Sequence, residues 1–413
     1  MGFIEDPTLF DDKAALRELP AGASATNYPR ASDLNALKDA ALDLRTEAIA
    51  MAEDISNFVL GTPSASTALV TATGSTTART LADTQTHAVV PGSGGNRSIV
   101  GNPDTNTIAT DSVGNTISGG GNSPDSPNII GTAPGKNVWV ATIGGGYDNQ
   151  SDGTASTIGG GAHHRITPVS ATLGHGHHGT IGGGSFSTLS ADGDYNTIGG
   201  GTQHVIDGTS SSATIAGGND NTVSANRGSI IGGQANTVTG VGGSVLGGLE
   251  NVAAGQWSTA SGYGGKATFE GQRAHGVSYF GVAGDAQGFD AVLKRVTTDG
   301  SAASMTIGTA GTFMVLPDNT TWAFDALIVG RNTAADEHAA YKVSGLIKRD
   351  SGAGTVALVG SVTTTVIAET VAAWTASATA ETATGDLRIR VTGEAGKTIR
   401  WSAFVHAAAV TGP

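Results

Sequence analysis

Asn196-Thr-Ile-Gly-Gly-Gly201 is the clearest copy of the unit that decides how this chain folds. An aliphatic residue followed by glycines stands at Ile117, Ile130, Ile143, Ile158, Leu173, Ile181, Ile198, Ile215, Ile231 and Leu246, with weaker copies centred on Ala260 and Ala274. Successive anchors lie 13 to 17 residues apart, with one step of 8. An Asn-Thr-Ile or Asn-Thr-Val echo appears at Asn106, Asn115, Asn196, Asn221 and Asn236. So short a period cannot hold a helical pair. It suits one coil of a β-solenoid, in which short strands stack at about 4.8 Å and each inward aliphatic residue covers the one below. The expected interior column is Ile143, Ile158, Leu173, Ile181, Ile198, Ile215, Ile231 and Leu246, with glycine and asparagine taking the left-handed corners. About ten coils at that rise make a rod of roughly 50 Å. A Gly/Ser linker would lack the in-register aliphatic residue.

Composition agrees with a rod that leans on partner chains. Of 413 residues 63 are Gly, and 46 of these fall between Gly92 and Gly284, while aromatic residues are 5% and charged residues 14%. Few large side chains limit what one chain buries alone, and ordering glycine costs more backbone entropy than ordering any other residue. Lys and Arg number 22 against 35 Asp and Glu, a net charge of −13 with no basic patch. Nucleic acid is therefore not an expected partner, since phosphate binding needs clustered cations. No apolar run is long enough for membrane insertion, and the absence of cysteine excludes disulfides and thiolate metal sites.

Before and after the repeat the pattern changes. Residues 1–30, broken by Pro7, Pro20 and Pro29, read as an irregular segment suited to an attachment peptide. Residues 31–61 place Leu34, Leu37, Ala41, Leu44, Ala48, Met51, Ile55 and Phe58 at alternating steps of 3 and 4, the a/d register of a coiled-coil helix, which Gly61 and Pro63 end. Residues 62–96 are a Ser/Thr/Gly-rich connector, and 97–284 form the solenoid shaft. From 285 to 413 strands of ordinary length appear: Leu387-Arg-Ile-Arg-Val391 alternates cleanly, and similar runs lie at 320–329, 341–348, 355–366 and 399–405 between turn signals. The fold class expected is mainly β: a coiled-coil helix, a β-solenoid and a C-terminal antiparallel β-sandwich, with Trp322, Trp374 and Trp401 in its core.

Three resemblances point to a family. Thr71-Ala-Thr-Gly-Ser-Thr-Thr-Ala-Arg-Thr-Leu-Ala-Asp83 resembles the stretch preceding the β-helical body in many phage tail spikes, although His87-Ala-Val-Val-Pro91 follows where those spikes usually carry Asn-Val-x-Asp-Phe-Gly-Ala. Ser258-Thr-Ala-Ser-Gly-Tyr-Gly-Gly-Lys-Ala267 and Gly271-Gln-Arg-Ala-His-Gly276 resemble the head repeats of trimeric autotransporter adhesins, which implies β-rolls around a threefold axis. His175-Gly-His177 is similar to the His-x-His of some tail-fibre tips, which implies an axial transition metal held by His175 and His177 of three chains; apart from it, no cofactor is expected.

Chance matches are set aside. Gly174-His-Gly-His-His-Gly179 has dinucleotide spacing without a following helix, and Gly393-Glu-Ala-Gly-Lys-Thr398 lacks the first glycine of a phosphate loop. No carboxylate pair for glycoside hydrolysis and no other catalytic residue can be named. Together the resemblances imply a homotrimeric bacteriophage tail fibre in the virion. It is attached to other tail proteins through its N-terminus, binds a host surface glycan or protein through unidentified residues of the C-terminal β-sandwich, 285–413, as its receptor-binding tip, and is not an enzyme. The alternatives are a tailspike depolymerase and a structural fibre without a receptor.

Overall fold

A computed structural model describes residues 87–91, 97–101, 105–109, 112–121, 125–131, 138–167, 178–191, 193–208, 210–309 and 311–412, with the helical positions 35, 38–42 and 45–46. The chain divides into two compact units, 1–68 and 69–413. In the first, the described positions are helical and exposed, and the Thr46 hydroxyl donates to the Leu42 carbonyl at 2.9 Å. Among the heptad positions Ala41 is one of these. Leu34, Leu37, Leu44, Ala48, Met51, Ile55 and Phe58 lie outside the described residues.

The second unit is a β-solenoid followed by a two-sheet β-domain. One solenoid face stacks two-residue strands in parallel register, Thr142–Ile143 on Thr157–Ile158, then Thr180–Ile181, Thr197–Ile198, Thr214–Ile215 and Ser229–Ile230. The opposite face is a 10-stranded parallel sheet running from Thr107–Ile108 to Lys266–Ala267. Period-2 alternation turns the first residue of each two-residue solenoid strand outward and the second inward, as Thr and Ile at Thr142–Ile143 and Thr197–Ile198. Two fully buried columns result. The first runs Ile117, Ile143, Ile158, Ile181, Ile198, Ile215, Ile230, Val245 and Ala260, and the second includes Ile130, Ile166, Leu189, Ile206, Val223, Val238 and Ala253.

Ile231 and Leu246, expected in the column, are 59% and 55% exposed, and Ile230 and Val245 take their rungs. Here an aliphatic residue occupies the place of the first glycine, so reading the anchor by the glycines after it slips the register by one and turns the side chain to the opposite face. Leu173 lies outside the described residues, and the ladder passes straight from Ile158 to Ile181.

Asparagine was expected at the corners and is found inside. Asn106, Asn128, Asn149, Asn221, Asn236 and Asn251 are buried one residue before the strands of the second face. Asn236 Nδ2 donates to Asn221 Oδ1 at 3.0 Å and to the carbonyls of Gly232 and Gly248 at 3.1 Å. Its Oδ1 accepts from the backbone and side-chain amides of Asn251, both at 3.0 Å. The ladder satisfies the Gly232 carbonyl, which the sharp corner would otherwise bury unpaired, and gives that of Gly248 a second donor beside the Gln234 N–H at 2.9 Å. Those glycines are obligatory: at Gly184 φ is 94°, and a Cβ would stand 1.9 Å from the Gly201 carbonyl oxygen.

Side chains of many kinds, rather than asparagine, take the left-handed corners. One corner stacks Asp148, His163, Phe186, Gln203, Asp220, Ala235 and Glu250, all at φ between 51° and 59°. Each such residue costs about 1–2 kcal/mol. The cost is offset by fixed ladder bonds, such as Phe186 N–H to the Ala162 carbonyl at 2.9 Å and Gln203 N–H to that of Ser185 at 3.0 Å.

At its far end the solenoid passes directly into the β-domain. The last parallel strand, Arg273–Gly276, pairs antiparallel with Ala286–Thr297, which continues through Ile399–Thr411, Thr320–Asn332, His338–Arg349 and Ala357–Glu369. A second sheet of Ala302–Ser304, Asp386–Thr392, Met314–Val315 and Thr375–Glu381 covers one side. Trp322, Trp374 and Trp401 are buried in the shared core, Trp374 against Trp401 at 5.5 Å between ring centroids. Phe269, Phe289 and Trp322 form a T-shaped cluster where the column has tapered from Ile to Ala. At the other end His87–Pro91, within the stretch expected to be connector, pairs antiparallel with Arg97–Gly101.

Two predictions follow from the ladder. Asn236→Ala leaves the Gly232 carbonyl and the Asn251 backbone N–H without their partners, and stability measured by denaturant unfolding should fall by about 3 kcal/mol, at about 1–3 per orphaned buried group. A loss within error of zero contradicts the ladder's role. His164 and His204 replace asparagine on the same line and are fully buried. Each accepts at Nδ1 from a backbone N–H, of Ser187 at 3.3 Å and Asn221 at 3.2 Å, while Nε2 completes no hydrogen bond. Burial lowers both imidazoles, against opposing hydrogen bonding from the neighbouring backbone. Their contribution is therefore complete above the unfolded value of about 6.5 and is lost as pH falls through it toward the lowered folded value. The double variant His164→Asn, His204→Asn should lose less melting temperature than the parent between about pH 7.5 and pH 5, whereas equal losses refute the assignment.

Candidate functional site

Where the solenoid meets the β-domain, four adjacent strands present their outward residues to one concavity of about 750 Å³. Alternation decides which side chains these are. On Arg273–Gly276, Ala274 and Gly276 point inward while Arg273 and His275 point out. In register, Ser261 lies opposite His275, Arg273 opposite Asp290, and Asp290 opposite His406. Ser261 Oγ and His275 Nδ1 are 3.2 Å apart, and His406 Nδ1 lies 2.6 Å from Asp290 Oδ1. Leu246, displaced from the core, lines the same concavity.

One wall is the loop between Gly276 and Asp285, whose Phe280 is 81% and Val277 80% exposed. The loop is nevertheless fixed. The buried Asp285 carboxylate accepts the backbone N–H groups of Phe280, Gly281 and Val282 at 2.9, 2.6 and 2.9 Å. Burial acts to raise this carboxyl, but the three donors outweigh it and hold it below the usual carboxylate range. Tyr279 hydroxyl donates to Glu250 on the solenoid, an interaction that raises the phenol above its ordinary value, and its ring meets Tyr263 edge-on at 5.1 Å. An apolar loop is thus held out to solvent by a polar anchor.

A second cluster lies at a solenoid corner. Asp148 is bound by Arg165 at 2.8 Å and by His163 at 2.6 Å, and His163 stacks on Phe186 with 4.4 Å between centroids. Burial acts to raise the Asp148 carboxyl; hydrogen bonds from Arg165 and His163 outweigh it and keep the group ionised to lower pH. These charges satisfy one another across neighbouring coils, so the cluster is a brace.

His175 and His177 lie outside the described residues. Among the described residues no group of three or more His, Cys, Asp or Glu could hold a metal ion. His163 and His178, both five residues after an expected anchor, stand at different corners: the first follows Ile158 and the second precedes Ile181. Lys397 of the phosphate-loop look-alike is paired with Glu337 and Glu394, each at 2.8 Å. Sequence reasoning assigned none of the junction residues to a site, placing Leu246 in the core and Ser261, Arg273 and His275 in the repeat. The signal lay in Val277-Ser-Tyr-Phe-Gly-Val-Ala-Gly-Asp285, where apolar residues without strand alternation run into an aspartate.

No known protein family matches the chain, and no curated protein does. Solved structures similar to it include the tailspike protein gp49 of Acinetobacter baumannii bacteriophage Fri1, described as a capsular polysaccharide depolymerase. It has 9% identity and a TM-score of 0.19 over 71% of this chain and 69% of that one. The tailspike protein of Acinetobacter baumannii phage AM24 is another, with 10% identity and a TM-score of 0.23 over 75% and 68%. The expectation of no enzymatic activity is corrected by this finding, since the Fri1 spike is described as an enzyme.

Removing the loop's anchor tests the description of the site. Asp285→Ala should raise protease cleavage within 277–284 by about tenfold while the shaft's unfolding changes little, because the loop then opens locally. Cleavage equal to the parent's contradicts the anchoring.

Proposed function

We propose that this chain is the subunit of a bacteriophage tail fibre or spike that binds a host-surface polysaccharide at the junction concavity. The observation that carries this is the anchored Phe280 loop. A large aromatic residue held 81% exposed beside a concavity of Arg, Asp, His and hydroxyl groups supplies the apolar platform and polar partners that sugar recognition uses. A rigid solenoid suits reach, and the acidic, cation-poor surface is unsuited to nucleic acid. The chain acts as a homotrimer, attached to other tail proteins through residues 1–30. Val292, Leu327, Val329 and Phe404 cluster on the uncovered side of the β-domain's larger sheet at 48–57% exposure, an apolar face that sister copies would cover. Three linked sites raise avidity without new contacts.

A second reading is a depolymerase. It is favoured by the hydrogen-bonded Asp290–His406 pair, an acid–base couple inside the same concavity.

Full-length protein tested against bacterial surface polysaccharides decides between these readings. Binding that Phe280→Ala weakens by about tenfold, worth ~1.4 kcal/mol, with a trimeric mass in solution, is the expected result. Release of reducing ends that Asp290→Asn abolishes establishes the second reading. Binding unaffected by Phe280→Ala overturns the placement of the site, and a monomeric mass overturns the assembly.

A further inference from the structure

Resting on that reading, we infer that the polysaccharide is an acidic one, and that Arg273 receives its sugar carboxylate while Phe280 carries the neighbouring ring. The charges of the concavity argue for this. With histidine neutral, its lining holds one cation, Arg273, and one carboxylate, Asp290, in a chain whose net charge on the same basis is −13. Asp290 stands directly across the strand pair from Arg273, where an ion pair would be expected. That carboxylate is instead engaged by His406 at 2.6 Å. The Arg273 guanidinium has neither ion pair nor hydrogen bond within the described residues. Arg165, Arg349 and Arg388 each hold a carboxylate at 2.8 to 2.9 Å; Arg227, Arg295 and Arg400, like Arg273, hold none among the described residues, and of these four Arg273 is the one that lines the concavity.

The strand geometry fixes where this cation points. Arg273 and His275 alternate with the buried Ala274, so both project from the same side of the sheet into the concavity. Phe280 lines it as well, on a backbone tied to Asp285. A guanidinium presents parallel N–H donors that match a carboxylate bidentately, and a ring face packs against the C–H side of a pyranose. A hexuronate or other carboxylated sugar offers both features within one residue. Ser261 and Thr259, also in the lining, remain for sugar hydroxyls.

The test uses full-length protein and a panel of bacterial surface polysaccharides, each in native and carboxyl-reduced form. The tightest-bound polymer should be acidic and should lose about tenfold in affinity on carboxyl reduction. Arg273→Gln should lose the same factor on the native polymer and nothing on the reduced one, with Arg273→Lys intermediate because it keeps the charge without the fork. The Arg273 side chain lies on an exposed strand face, so these variants keep the fold, which an unchanged melting temperature verifies. Tightest binding to a neutral polymer, or Arg273→Gln binding the acidic polymer as the parent does, overturns this inference and leaves the receptor reading standing. Binding to no polymer overturns both.

Discussion

Everything in the shaft depends on bonds made from one coil to the next. A two-residue strand cannot stand by itself, because it holds too little apolar surface to offset the entropy of ordering its corners. Repetition solves this: each backbone N–H finds a carbonyl in the adjoining coil, and each Ile seats on another Ile. The asparagine line then closes the polar account at the corner where glycines leave their carbonyls inside. Packing and hydrogen bonding here are the same periodic structure seen from two sides, so a defect at one rung is shared by both.

Much of this was legible in the sequence, because a period repeated many times averages out local ambiguity. The solenoid class and the inward residues Ile143, Ile158, Ile181, Ile198 and Ile215 follow from one aliphatic position per period. The slip at Ile231 and Leu246 shows the limit. Where two aliphatic residues adjoin, as at Ile230-Ile231 and Val245-Leu246, composition cannot say which is inside; the Ser or Thr before the pair does, since it marks the outward start of each strand. Asparagine was misplaced for a related reason. Its tolerance of left-handed backbone is a property of the isolated residue, whereas its value in this fold is an amide that both donates and accepts along the stack.

The junction was not legible, and the reason is topological. Ser261, Arg273, Asp290 and His406 are spread over nearly 150 positions of chain and meet because Ile399–Thr411 returns beside Ala286–Thr297. No local pattern announces such a meeting. The exposed loop offered more: hydrophobic residues that fit neither strand nor helix, followed by an acid able to gather backbone donors, point to a held surface feature.

The antiparallel strands at the two ends of the first solenoid face have a further consequence. A parallel stack offers its last rung as a template for another, and nothing in the repeat says where to stop. His87–Pro91 runs against the first rung and Ala286–Thr297 against the last, reversing direction at both edges. The number of coils is thereby set by the gene and not by assembly, and the molecule behaves as a ruler: lengthening it requires inserting a whole repeat between the two stops.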